Sequence, residues 1–313
     1  MLKYLFIILF LTRGSTFFAA AEMNTTVDIQ SLPTVTLMDS CKVSEDLNIS
    51  YVMFQNNIIG TVSTPQLPKN LQIGRSFKIS YTTYTKQISP ITNQIGYILE
   101  NVKAYTDPVL MQQLPIKIMH SASTITNLLT QDATKNVWVL DLDDCILQNR
   151  LSENVSATVL GFSIENSFER EENKPAGVFF ITKRDKSGYG VLDRTMSELE
   201  RLFPKLYTFS MSRDNLLSTA TNNPDFKKQY ETSYGPLIIM GDGTDRPSKG
   251  ETLRALLQTI NENSLQNLNF ICVDDHMNNC TAYANLVKQP TNITPVLYFY
   301  PAENLRFIQT SPN

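Results

Sequence analysis

The sequence predicts an α/β protein built on a doubly wound parallel sheet and preceded by a β-rich region. Three observations lead there. Short β-branched and aromatic runs at 137–140, 206–209, 237–240, 270–273 and 295–300 alternate with helical spacing at 121–129, 194–202 and 249–260, and such alternation belongs to parallel sheets. The run at 137–140, Val-Trp-Val-Leu, is apolar at every position, as a strand covered on both faces must be. Before about residue 115, short β-favouring runs occur without any long helical periodicity.

Taken in order, residues 1–21 read as a signal peptide. Met1-Leu2-Lys3 supplies a positive start, 4–11 a short apolar core, and Ala19-Ala20-Ala21 a small-x-small cleavage pattern before Glu22. The core is too short to span a bilayer, so export to a periplasm or the exterior is expected. An uncleaved N-terminal anchor is the alternative, and Arg13 interrupts the pattern. Residues 22–115 form the β-rich region, with runs at 35–38, 49–54, 58–62 and 77–84 separated by Asn, Pro and Gly turns. The α/β part occupies 116–313. Within it, 148–193 reads as an insertion of β character, including 177–182 and a Gly-Tyr-Gly turn at 188–190. A helix over 194–202 buries Met196, Leu199 and Leu202 and ends at Pro204.

Composition narrows the function classes. With 42% hydrophobic and 18% charged residues the chain is an ordered globular protein. A net charge of −3, with Lys227-Lys228 as the densest basic spot, argues against a nucleic-acid partner. The two histidines, His120 and His276, are too few for a multi-histidine zinc centre and argue against a histidine nucleophile. No segment after the leader is long and apolar enough to span a membrane. Of the four cysteines, Cys145 and Cys272 lie in or beside expected buried strands. Free thiols are favoured there, with a bridge from Cys145 to Cys272 or Cys280 as the alternative. Sequons at Asn24, Asn48, Asn154, Asn279 and Asn292 matter only in a glycosylating host, and are read as chance.

The chemistry concentrates where strands end. Asp141 and Asp143 follow the first strand, Ser210 follows 206–209, Lys249 opens a helix, and Asp274-Asp275 follow 270–273. Open α/β sheets hold their ligands at such ends. This ordered set resembles the haloacid dehalogenase (HAD) superfamily, and it covers about 118–300. The resemblance is closest to secreted bacterial HAD-like proteins, and it implies a HAD-like sheet with a small inserted cap. By it, Asp141 is the nucleophile that forms an aspartyl-phosphate. Asp143 is the general acid/base and offers its backbone carbonyl to a metal. Ser210 binds a phosphoryl oxygen, with Ser212 as the fallback, and Lys249 neutralises charge. Carboxylates beside a phosphate call for a hard cation, hence Mg²⁺, with Asp141, Asp143, Asp274 and Asp275 as ligands and Asn278 as an outer partner. Arg213 and His276 are candidates for substrate binding.

Each residue also has a plainer reading. Lys249 can be a solvated first-turn residue, Ser210 a turn hydroxyl, and Asp274-Asp275 a helix cap. Arg213 and His276 can be surface and loop residues. Cys145 stands where the family has Thr or Val. The stretch Met240-Gly241-Asp242-Gly243-Thr244-Asp245 offers a second fourth motif, which would need Lys227 or Lys228 as its lysine. Placing the motif at 274–275 is more economical. The expected activity is Mg²⁺-dependent hydrolysis of small phosphomonoesters, phosphopeptides included. The alternatives are a non-catalytic interaction protein on the same scaffold, and a phosphotransferase.

Overall fold

The computed structural model describes residues 31–299, apart from 43–47, 55–57, 64–66, 68–70, 72, 89–94, 106–114, 149–154, 185–189, 216–219, 231–232, 241–246, 261–264, 266 and 287–291. The leader, the 241–245 alternative and the sequons at Asn24 and Asn154 lie outside the described residues. The chain divides into two compact units, Met1–Leu114 with Pro301–Asn313, and Pro115–Tyr300.

The first unit is a seven-stranded sheet of β1 (Thr34–Lys42), β2 (Asn48–Phe54), β3 (Ile59–Ser63), β4 (Ser76–Ser80), β5 (Thr83–Ile88), β6 (Ile95–Glu100) and β7 (Lys103–Tyr105). Their order is β5-β6-β3-β2-β1-β4-β7. Every pairing is antiparallel except β3 with β6. Val35 and Leu37 on β1, and Phe77 and Ile79 on β4, point to one apolar core with Val52, Val62 and Leu99, as a two-residue side-chain period requires. Phe54, Tyr81, Tyr84 and Tyr97 form an edge-to-face chain of rings.

The second unit is α/β. In chain order it comprises β8 (Lys117–Met119), α1 (Ala122–Thr130), β9 (Asn136–Leu140), β10 (Leu147–Gln148), β11 (Ser156–Ala157), α2 (Val159–Ser167), β12 (Gly177–Thr182), α3 (Val191–Leu202) and α4 (Pro204–Met211). Then follow α5 (Pro224–Gln229), β13 (Ser233–Tyr234), β14 (Leu237–Ile239), α6 (Lys249–Gln258), β15 (Asn269–Asp274), α7 (Met277–Ala284) and β16 (Asn292–Tyr298). The sheet order is β13-β14-β12-β9-β15-β16-β8. All its pairings are parallel but that of β13, an antiparallel edge.

Alternate residues of the central strands feed opposite faces. Trp138 and Leu140, Val178 and Phe180, and Ile271 and Val273 pack with Ile125 of α1, Leu160 of α2, Leu199 of α3 and Leu206 of α4. Val139, Phe179, Ile181, Phe270 and Cys272 pack with Phe226 of α5, Leu253 and Leu256 of α6, and Tyr283 of α7. The sheet is therefore covered on both sides, which explains why β9 and β12 are buried at every position.

Two expectations are corrected here. Residues 206–209 form helix, not strand. Pro204 supplies the first helical φ, and the buried carboxylate of Glu165 on α2 accepts the N–H groups of Lys205 and Leu206 at 2.9 and 3.0 Å. That remote cap satisfies donors that a short helix otherwise leaves open. Nor is 148–193 an insertion. It contains β12, which lies between β9 and β14, and α2, which packs on the core. The described part of the excursion after β9 is the two-residue β10–β11 ladder.

Cys145, Cys272 and Cys280 are free, buried thiols. Burial pushes each thiol pKa up, the opposite of what a reactive cysteine needs. The side chain of Cys41 lies outside the described residues. Among the described residues no helix is long and apolar enough to cross a membrane.

Candidate functional site

β9 and β15 are adjacent and parallel, with Val273 opposite Leu140. One step further along, both end in carboxylates. The Asp141 N–H continues the ladder by donating to Val273 O at 3.0 Å, so Asp141 and Asp274 are fixed side by side. The N-terminus of α6 delivers Lys249 between them. Its Nζ stands 2.6 Å from Asp141 Oδ1 and 2.8 Å from Asp274 Oδ2.

Lys249 is 1% exposed and Asp274 0%. An ammonium at the positive end of a helix and out of water is unfavourable twice over; two direct carboxylate contacts are what make it tolerable. A capping box holds the helix start, with Ser248 Oγ accepting from Glu251 N–H and Glu251 Oε2 accepting from Ser248 N–H.

The far oxygen of Asp274 is held as firmly. Asp274 Oδ1 accepts from His276 N–H and from Asn279 Nδ2, both at 2.9 Å. The expected partner Asn278 is exposed instead, because α7 starts after His276 and turns position 279 back toward the strand end. Asn279 is buried with its amide committed, so its sequon is not available to a glycan.

Oxygens of Asp141, Asp274 and Asp275 lie within 4.8 Å of one another. Three carboxylates thus face one ammonium. Among the described residues Asp275 Oδ1 is buried with no hydrogen-bond partner, a state that costs free energy unless something cationic or hydrogen-bonding fills it. Burial, reinforced by Asp274 and Asp143 and opposed by Lys249, pushes Asp141 up to about 7. Asp275 is pushed well up by burial and then by the charge of Asp141. Lys249 is held above the ordinary lysine range, because Asp141 and Asp274 together outweigh its burial.

Asp143 faces a different partner. The Arg184 guanidinium, two residues past β12, grips it with Nε at 2.9 Å from Oδ2 and Nη2 at 2.7 Å from Oδ1. Thr182, the last residue of β12, donates to Asp143 Oδ2 at 3.3 Å. Arg184 Nη1 reaches Thr195 Oγ1 and Glu198 Oε2 on α3. The Asp143 side chain is thus separate from the Asp141–Asp274–Asp275 group; the metal contact expected of Asp143 was through its backbone carbonyl.

Ser210 and Arg213 are not brought to these carboxylates. Ser210 Oγ donates within α4 to Tyr207 O at 2.8 Å. Its carbonyl accepts from Asn215, whose amide also pairs with Val178 N and O at the start of β12. Val178 lies four residues before Thr182, about 13 Å along the strand, so Ser210 belongs to the opposite end of the sheet. Arg213 is exposed in the turn after α4, and the fallback Ser212 bonds locally to Phe209 O. His276 stands at the N-cap position of α7, its half-exposed ring 3.9 Å from Asp275 Oδ2. Lys227 and Lys228 lie in the exposed last turn of α5.

Sequence reasoning passed over Thr182 and Arg184. A signal for Thr182 was there. Val178-Phe179-Phe180-Ile181-Thr182 is a buried-type run ending in a hydroxyl, the same form as the run before Asp141.

No protein-family model matches the chain, and no curated protein matches it. Among solved structures, full-length CYP116B46 from Tepidiphilus thermophilus aligns with 91% of this chain, at 9% identity and a TM-score of 0.25. This chain spans 31% of the length of that protein, and a score so low carries no argument about fold or function.

Proposed function

We propose that the second unit is a HAD-like phosphohydrolase that cleaves small phosphomonoesters or phosphopeptides through Asp141. The observation that carries the reading is the convergence of Asp141, Lys249, Asp274 and Asp275 at adjacent parallel strand ends.

The chemistry suits a divalent cation. The donors are all oxygens, they outnumber the ammonium, and one of them is buried without a partner among the described residues. That set fits Mg²⁺, held by Asp141, Asp274 and Asp275. When bound, the cation neutralises charge on the phosphoryl group.

The residues divide the work as follows. The bonds from Lys249 and from Leu142 N–H both fall on Asp141 Oδ1, which leaves Oδ2 to attack phosphorus. The Asp141–phosphorus bond forms as the ester oxygen departs, taking a proton from Asp143. Asp143 then removes a proton from water as that water attacks phosphorus, releasing phosphate and restoring the Asp141 carboxylate. Lys249 holds Asp141 in line and offsets charge, which is most of what phosphoryl transfer asks of a protein. Thr182 replaces Ser210 as the hydroxyl at a strand end.

A second reading has one observation in its favour. Both oxygens of Asp143 are engaged by Arg184, which suits a protein that binds phosphorylated ligands without hydrolysing them. Hydrolysis of 4-nitrophenyl phosphate with Mg²⁺ or with chelator, by the native chain and by Asp141→Asn, separates the two. Turnover that needs both Mg²⁺ and Asp141 supports the hydrolase. Turnover unchanged by Asp141→Asn refutes it, and Mg²⁺-dependent phosphate binding without turnover supports the second reading.

A further inference from the structure

We propose that Arg184 is a positioning residue, which sets the orientation of the Asp143 carboxylate and through it the rate of the chemical step. The inference rests on the hydrolase reading above and deepens it.

Arg184 is 8% exposed, and its donors are almost fully committed. Nε bonds to Asp143 at 2.9 Å and Nη2 at 2.7 Å, a two-point grip that fixes the plane of the carboxylate as well as its distance. Nη1 bonds to Thr195 Oγ1 at 2.9 Å and pairs with Glu198. Thr195 is itself anchored, donating to Val191 O at 2.7 Å within α3. The Arg184 N–H donates to Thr182 Oγ1 at 3.4 Å, and that hydroxyl donates to Asp143 Oδ2.

Asp143 itself sits in an irregular turn, with Asp144 beside it at a φ of 59°, and is not part of a regular strand. The backbone alone does not hold such a side chain to one rotamer. Arg184 connects it to two rigid elements, the end of β12 and the face of α3. With Asp143, Thr195 and Glu198 occupying its fork, Arg184 has little left to offer a phosphate. Its effect must pass through Asp143.

Lysine keeps the charge but loses the fork. Arg184→Lys should therefore lower kcat for 4-nitrophenyl phosphate, with Mg²⁺ present, by about 10- to 100-fold while KM stays within twofold. Because the effect passes through Asp143, the same substitution in an Asp143→Asn background should cost nothing further. If native turnover depends on Asp141 but Arg184→Lys leaves kcat within twofold, the positioning role is wrong and the hydrolase reading stands. Equal losses in the native and Asp143→Asn backgrounds have the same meaning. If no Asp141-dependent turnover exists, the hydrolase reading fails and takes this inference with it. Should Arg184→Lys not fold, Glu198→Gln loosens the same anchor more gently. It should show the same kcat loss at smaller amplitude, again absent with Asp143→Asn, and an unchanged kcat would overturn the proposal.

Discussion

Gly250 lies against Ala282 at backbone distance: a Cβ on Gly250 would stand 2.4 Å from the Ala282 carbonyl oxygen and 2.7 Å from its carbon. Helices α6 and α7 touch there without an intervening side chain. The neighbouring Lys249 enters the carboxylate cluster from this contact, and α7 supplies Asn279 to Asp274.

Gly250→Ala should consequently destabilise the protein, although alanine favours a helix interior by about 1 kcal/mol over glycine. Backbone atoms cannot yield as a flexible side chain can, and overpacking of this kind costs about 1–3 kcal/mol. Urea unfolding should show a net loss of about 1–2 kcal/mol, with any Asp141-dependent turnover falling further as Lys249 is displaced. An unchanged midpoint would mean that the helices separate freely.

Lys249→Met should leave Asp141, Asp274 and Asp275 facing one another without a compensating cation. Removing one partner of a buried ion pair costs about 3–5 kcal/mol. In chelator the variant should melt well below the native protein, and Mg²⁺ should recover part of the difference by supplying the missing positive charge. A melting temperature indifferent to Mg²⁺ in this variant would count against the cation site.

Stability of the metal-free protein should fall between about pH 5 and about pH 8. Burial raises Asp141 from an ordinary 3.8 to about 7, so the folded state holds that proton more tightly than the unfolded chain. The contribution is complete below the unfolded value and lost as pH rises through the folded one. Asp275 is displaced in the same direction. Lys249 is raised also, so its contribution persists until well above this window. His276 is lowered by burial and works the other way, losing stability as pH falls; its ring is half exposed, so its share is small. Thermal melts in chelator at the two pH values test this, and Mg²⁺, if held by the ionised carboxylates as proposed, should flatten the slope.

Thr182 and Ser210 should exchange the importance that their sequence positions suggest. Thr182→Val keeps the volume but removes the hydroxyl on Asp143, and should lower kcat by about tenfold. Ser210→Ala removes a bond internal to α4 and should leave kcat within about twofold, at a stability change of about 1 kcal/mol or less. Comparable losses in the two variants would reopen the assignment.

What the sequence determined by itself was whatever is written in local pattern. The runs at 137–140 and 270–273 are apolar throughout because both faces of β9 and β15 are covered, so their strand character and the carboxylates closing them were legible. Lys249 was legible as a helix start too, since apolar residues recur at helical spacing over 249–260. The tertiary structure decided what depends on partners far along the chain. Residues 206–209 carry a strand-like composition, yet they are helical because Glu165, some 40 residues earlier, caps their first N–H groups. With that segment outside the sheet, its place is taken by β12, which ends in the hydroxyl of Thr182. The grip of Arg184 on Asp143 spans 41 residues and two elements, and no local spacing encodes it. Periodicity reports how a segment meets water; it does not report which distant group fills its remaining hydrogen bonds.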